Sequence, residues 1–184
     1  MIKLFDILKE QTQPKYEYGC VMLYFNFPLI NKIHDAIDPN HLWKKDEDSD
    51  STYDGGLETE PHTTLLYGLH DGVSEQDVKN VLGKFTFGTC KISNASLFEN
   101  ENFDVLKFDV SGDNLFKANA ELSKYPNTQN FPDYHPHMTI AYLTPGTGKR
   151  YANMLNGQGF ELTPTHAVYS MPNGEKKQIS INTK

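Results

Sequence analysis

Cysteine, tryptophan and arginine are scarce in this sequence, at two, one and one residue. Two cysteines in 184 residues exclude a scaffold built on disulfides. Cys20 and Cys90 each lie in an apolar, strand-like run, which reads as a free thiol in a reducing compartment. Basic charge is short as well. Seventeen Lys and Arg face 24 Asp and Glu, a formal net charge of −7, and Arg150 is the single arginine. Long DNA or RNA is held through many Lys and Arg contacts to phosphate, so no long nucleic acid is expected as a partner. A small anion in a local pocket is not excluded by that argument. No run nears the ~20 apolar residues of a membrane span. Residues 1–10 carry Asp6 and lack the apolar core of a signal peptide, so the expected location is cytoplasmic, with no membrane partner. Zinc wants three or four ligands at suitable spacing. His135-Pro136-His137 has no Asp, Glu or Cys cluster near His62 to complete such a set, so neither metal nor other cofactor is expected.

What the chain does have is a motif written twice. His62-Thr63-Thr64-Leu65 and His137-Met138-Thr139-Ile140 each read His, any residue, Thr, apolar residue. Each opens a run rich in β-branched and aromatic residues, the pattern of a short strand. Residues i and i+2 share one face of a strand, so His62 lies beside Thr64 and His137 beside Thr139. An imidazole next to a hydroxyl, presented twice, suits a phosphodiester. Two groups can move protons at neutral pH and two can donate hydrogen bonds to phosphate oxygens. Catalytic roles are therefore assigned to His62, Thr64, His137 and Thr139. The pattern does not say which imidazole is acid and which is base.

The rest of the chain repeats around these strands. Helical spacing predicts a helix over 3–10 and another over 29–37 behind Pro28, the nearly all-apolar run 19–27 reads as a buried strand, and the first motif strand covers 62–68. Ser74 and Asp77 form a capping box for a helix to Leu82, and a strand follows over 88–98. The second half predicts a strand over 103–110, a helix over 114–125 capped by Asp113, the second motif strand over 137–143, and a helix near 150–155. Two last strands, 160–169 and 176–181, flank the turn Pro172-Asn173-Gly174-Glu175. Both halves read strand, helix, motif strand, helix, strand. This predicts a single α+β domain over 1–184, expected to be a monomer. Its pseudo-symmetric lobes, about 17–98 and about 103–182, would place antiparallel sheets around a central cleft with helices outside. The long acidic loop 38–60 interrupts the first lobe. Tyr18, Trp43 and Tyr134 are candidates for stacking on a nucleobase, which stabilises by about 1–3 kcal/mol per base.

The paired His-x-Thr strands resemble the two-histidine (2H) phosphoesterase superfamily, whose bilobal fold carries one motif per lobe. The likeness runs from about residue 19 to about 181. Within it, the stretch from Glu60 to His70 and the stretch from Tyr134 to Leu143 look most like the phage anti-CBASS nucleases. That family degrades the cyclic di- and trinucleotides, such as cGAMP, with which bacteria signal infection. The resemblance implies metal-independent cleavage of 3′–5′ bonds with the ribose 2′-hydroxyl as internal nucleophile, in the host cytoplasm. Two rival readings remain: a 2H enzyme for 2′–5′ RNA linkages or 2′,3′-cyclic phosphate ends, and a sponge that binds a cyclic nucleotide without cleaving it.

Overall fold

Alternation of apolar and polar residues builds two four-stranded antiparallel sheets, and the two motif strands are their edges. The computed structural model describes residues 16–45, 55–129 and 133–184. The first sheet runs in the order β2 (His62–Leu69), β1 (Gly19–Phe25), β8 (Pro164–Ser170), β9 (Lys176–Ile179). The second runs β6 (His137–Leu143), β5 (Asp104–Ser111), β4 (Cys90–Glu99), β7 (Gly159–Leu162). In each, a motif strand is the edge and the strand opening that half of the chain is its neighbour. A short parallel pair, β3 (Thr86–Phe87) with β10 (Asn182–Thr183), brings the C-terminus against the first half. No helix among the described residues is long and apolar enough to cross a membrane.

Among the described residues four α-helices cover the sheets: α1 (Ile30–Asp35), α2 (Glu75–Leu82), α3 (Leu115–Leu122) and α4 (Lys149–Leu155). The predicted capping box of α2 is present, with Ser74 and Asp77 satisfying each other's backbone N–H groups. The cap of α3 differs from the expectation. Asp113 accepts instead from Lys184, and the N-cap residue is Asn114, in the left-handed region at φ 68°. The Asn114 side chain is engaged elsewhere, donating to the carbonyl of Thr86. The helix also ends at Leu122, where tighter three-residue turns take over and carry the chain to Tyr125. The helix expected over 3–10 lies outside the described residues.

Sheet membership departs from the sequence halves. β4, placed in the first half by sequence, pairs with β5 and β7 of the second sheet. β8 and β9, from the end of the chain, complete the first sheet. The single strand expected over 160–169 is in fact two strands in different sheets, parted at Thr163. Proline has no N–H for the ladder, and Pro164 is the residue at which the chain changes sheets. The helices cross over as well: α1 packs on β6 and α3 on β2, so each half's helix supports the other half's motif strand. One apolar cluster follows, joining Val21, Leu23 and Leu65 to Leu106, Phe108, Ile140 and Tyr169.

The loop 38–60 is partly a strand cover. Leu42 bridges Leu143, Leu57 bridges Ala141, and the backbone N–H groups of Trp43 and Glu58 donate to Tyr142 and Ile140. The loop thus occupies the outer edge of β6, whose backbone would otherwise stand unpaired. Its segment 46–54 lies outside the described residues. Gly68 is the tight point at the edge of β2. At φ +113°, a Cβ there would stand 2.0 Å from the Thr128 carbonyl oxygen, and the Thr128 N–H donates to Gly68 O.

Candidate active site

The two motif strands carry the same irregularity. In β2, Met22 pairs with Thr64 but Val21 pairs with Leu66, leaving Leu65 as an extra residue. In β6, Lys107 pairs with Thr139 but Leu106 pairs with Ala141, leaving Ile140 as the extra residue. Both bulges sit directly after the His-x-Thr triplet. Alternation already turns the apolar residue after Thr into the core. The bulge then re-phases the strand, so that Leu66 and Ala141 are buried as well and Tyr67 and Tyr142 return to the face of His and Thr. A bulge frees a carbonyl from the ladder. The Leu65 carbonyl accepts from the Asn119 amide on α3 at 2.7 Å, and the Ile140 carbonyl from His34 Nε2 on α1 at 3.2 Å. Burial is the main reason the His34 pKa falls below 6.5, which keeps its ring neutral.

The histidines are anchored alike. His62 Nδ1 lies 2.7 Å from the Glu60 carbonyl, and His137 Nδ1 lies 2.9 Å from the His135 carbonyl. A carbonyl only accepts, so Nδ1 carries the proton in both rings and Nε2 is left to exchange one. The strands β2 and β6 pack against each other, and the charge of His62 is near enough to act on His137. Desolvation lowers the His137 pKa first. The charges of Lys107 and His62 add to the fall, while the His135 carbonyl and Asp109 oppose it. The Thr64 hydroxyl partners the Cys20 thiol, which burial pushes up to about 12. Cys20 and Cys90 are both free, and burial raises Cys90 to about 11. Neither is a thiolate at neutral pH. Among the described residues no three His, Cys, Asp or Glu side chains are grouped to hold a metal ion.

The chain is similar in structure to Kluyveromyces marxianus Usb1, solved with uridine monophosphate. Sequence identity is 10%, 90% of this chain and 98% of that chain are covered, and the TM-score is 0.53. The fold is that of the 2H phosphoesterases. Escherichia coli LigT, solved with 3′-AMP, also matches, at 12% identity over 90% of this chain and 97% of that one, with a TM-score of 0.45. No protein-family model and no curated protein sequence matches the chain.

Within this 2H fold the expected stacking residues occupy three separate places. Tyr18 lies against His70 and edge-on to Tyr67, at the far end of the β2 face. Trp43 packs on Phe103, which in turn meets Tyr142. Tyr134 is half-buried, and its hydroxyl donates to the Thr64 carbonyl at 3.0 Å, tying the approach to β6 onto β2. Tyr67 and Tyr142 are the fifth residues after His62 and His137, so the repeated motif extends to His-x-Thr-x-x-Tyr.

Cross-strand pairing adds residues that the sequence pattern left unmarked. Tyr24 pairs with His62 on one side and His166 on the other, and the three rings stack in a row with centroids 5.4 and 5.2 Å apart. Burial and the nearby carboxylates of Glu60 and Glu58 push the Tyr24 phenol up to about 12, so it stays protonated beside His62. On the second sheet, Lys107 and Asp109 stand opposite Thr139 and His137, and Phe98 meets the His137 ring edge-on at 5.0 Å. The available signal was the alternation of residues 103–110, whose polar face reads as solvated and instead faces the site. Arg150 lies over the Tyr151 ring on α4.

Proposed function

We propose that the chain is a phosphodiesterase that cleaves 3′–5′ bonds of cyclic di- and trinucleotide immune signals without a metal, and so lets a phage evade CBASS defence. The observation that carries this reading is the duplicated constellation. Two imidazoles have Nδ1 tied to a carbonyl two residues upstream, each has a threonine two residues downstream, and they stand on touching edge strands. In this scheme the 2′-oxygen of the ribose attacks phosphorus and its proton passes to one Nε2. The 5′-oxygen leaves and takes a proton from the other Nε2, giving a 2′,3′-cyclic phosphate end. His137, held neutral by burial and by the Lys107 charge, fits the accepting role, which leaves His62 to donate. The Thr64 and Thr139 hydroxyls hydrogen-bond the non-bridging oxygens as charge develops. Bases stack toward the aromatic ends of the two faces, at Tyr18 with Tyr67 and at Trp43 with Tyr142. Tyr134 sets the spacing between the motif strands.

A second reading is cleavage of 2′–5′ linkages or 2′,3′-cyclic phosphate ends of RNA. The uridine monophosphate held by Usb1, which shares this fold, favours it.

The test is incubation with a 3′,3′-cyclic dinucleotide in excess EDTA, with products resolved by chromatography and mass spectrometry. Linear product is expected. His62→Ala and His137→Ala are each expected to lower turnover by at least about 10²-fold with circular dichroism unchanged. Full activity in either variant sinks the two-histidine mechanism. An intact cyclic dinucleotide alongside cleaved 2′,3′-cyclic phosphate moves the substrate to the second reading. Ligand that binds and is recovered whole after denaturation makes the protein a sponge.

A further inference from the structure

We propose that Lys107 is the cation of this site, a substrate-contacting residue whose ammonium receives the non-bridging oxygens of the scissile phosphodiester beside Thr139. This rests on the phosphodiesterase reading and adds to it a group that lies outside both motifs.

Lys107 sits mid-strand in β5, directly opposite Thr139 in the ladder, with Asp109 opposite His137. Directly opposed residues share a face with Cβ atoms about 5 Å apart, so the lysine lies on the same face as the second motif. It is 8% exposed, in a protein whose net charge is −7. Lysine rarely goes so deep without a partner set to match. Its Nζ lies 2.6 Å from Asp109 Oδ1 and 4.7 Å from the centroid of the Phe98 ring, the ring that also meets His137. An ammonium has three N–H donors. Among the described residues Asp109 supplies its one oxygen acceptor, and the remaining donors are the ones a bound phosphate can engage in place of solvent. Asp109 and Phe98 hold the ammonium in place, within reach of the oxygens of a phosphodiester lying on Thr139. A fixed charge in a water-poor site acts more strongly on developing negative charge than the same group in water.

The groups facing His137 are Lys107 and Asp109 from β5, His62 from β2, Phe98 from β4 and the His135 carbonyl. Removing the Lys107 charge therefore takes away one of the two positive neighbours of the imidazole. The experiment compares wild type with Lys107→Met and Lys107→Arg, using the cyclic dinucleotide or whichever phosphodiester the wild type cleaves. Lys107→Met is expected to lower kcat about 10²–10³-fold, the loss seen when one transition-state hydrogen-bond donor is removed, with a smaller rise in KM. Lys107→Arg should restore part of the rate. Separately, and without substrate, the His137 ring is titrated by NMR. Its midpoint is expected to move to higher pH in Lys107→Met. Inorganic phosphate is expected to protect the wild-type protein against thermal unfolding more than Lys107→Met. An unchanged midpoint together with equal phosphate protection overturns the proposal even if no substrate is ever found. Full kcat in Lys107→Met overturns it if the substrate is confirmed. A wild type that cleaves nothing, with midpoint and protection shifted as expected, overturns the phosphodiesterase reading and leaves Lys107 as the anion ligand.

Discussion

Thr63, between His62 and Thr64, shows how much the face of a strand decides. It is fully buried, and its hydroxyl finds no hydrogen-bond partner among the described residues. Thr63→Val keeps the shape and removes the orphaned oxygen. Stability should rise by about 1 kcal/mol, read from urea unfolding. A loss of similar size would mean that the hydroxyl does have an acceptor. His34 gives the residue-scale pH dependence. Its pKa is lower in the folded protein than the ordinary 6.5, chiefly because burial disfavours the charged ring. The unfolded chain then binds the proton more readily. This contribution to stability is complete above pH ~6.5 and is lost as pH falls through the folded value. His34→Gln keeps a donor for the Ile140 carbonyl but does not titrate. Its stability should fall less than that of wild type between pH 7 and 5. Parallel curves would assign the acid sensitivity to other groups.

At the scale of elements, the helices stabilise the bulges they do not belong to in sequence. Asn119 on α3 satisfies Leu65 on β2, a residue with no exposed surface. Asn119→Ala leaves that carbonyl without its side-chain donor and should cost about 1–3 kcal/mol in denaturant unfolding. A cost below about 0.5 kcal/mol would show that the bulge is held by its ladder bonds alone. Much at this scale was legible in the sequence. A nearly unbroken apolar run marked β1, β-branched and aromatic alternation marked β2, β5 and β6, and Ser74 with Asp77 marked the start of α2. The His-x-Thr spacing put each imidazole and hydroxyl on one face, because strand geometry is local. Asp113 misled because its neighbour Asn114 reached a partner in β3, 28 residues away. Strand 160–169 misled because periodicity does not show which sheet a strand joins.

For the whole molecule, the exchange of strands makes the two halves interdependent. β8 pairs along the length of β1, and its Ala167 and Tyr169 are fully buried. A chain ending at Thr163 loses two of the four strands of the first sheet and exposes β1. It should show no cooperative thermal transition and should bind a hydrophobic dye. A sharp transition in that truncated protein would mean that β1 and β2 are held by the second sheet alone.

The sequence by itself determined the local chemistry: two strands, each bearing a histidine and a threonine on one face, and the order of elements around them. Such features rest on dihedral preference and side-chain alternation within a few residues. The tertiary structure decided which edges meet, which carbonyl each bulge offers to a helix of the opposite half, and that Tyr24, Lys107, Asp109 and His166 lie on the motif faces. Those placements depend on register between strands far apart in the chain. Cross-strand hydrogen bonds and a shared core select that register, and no periodicity within a single strand encodes it.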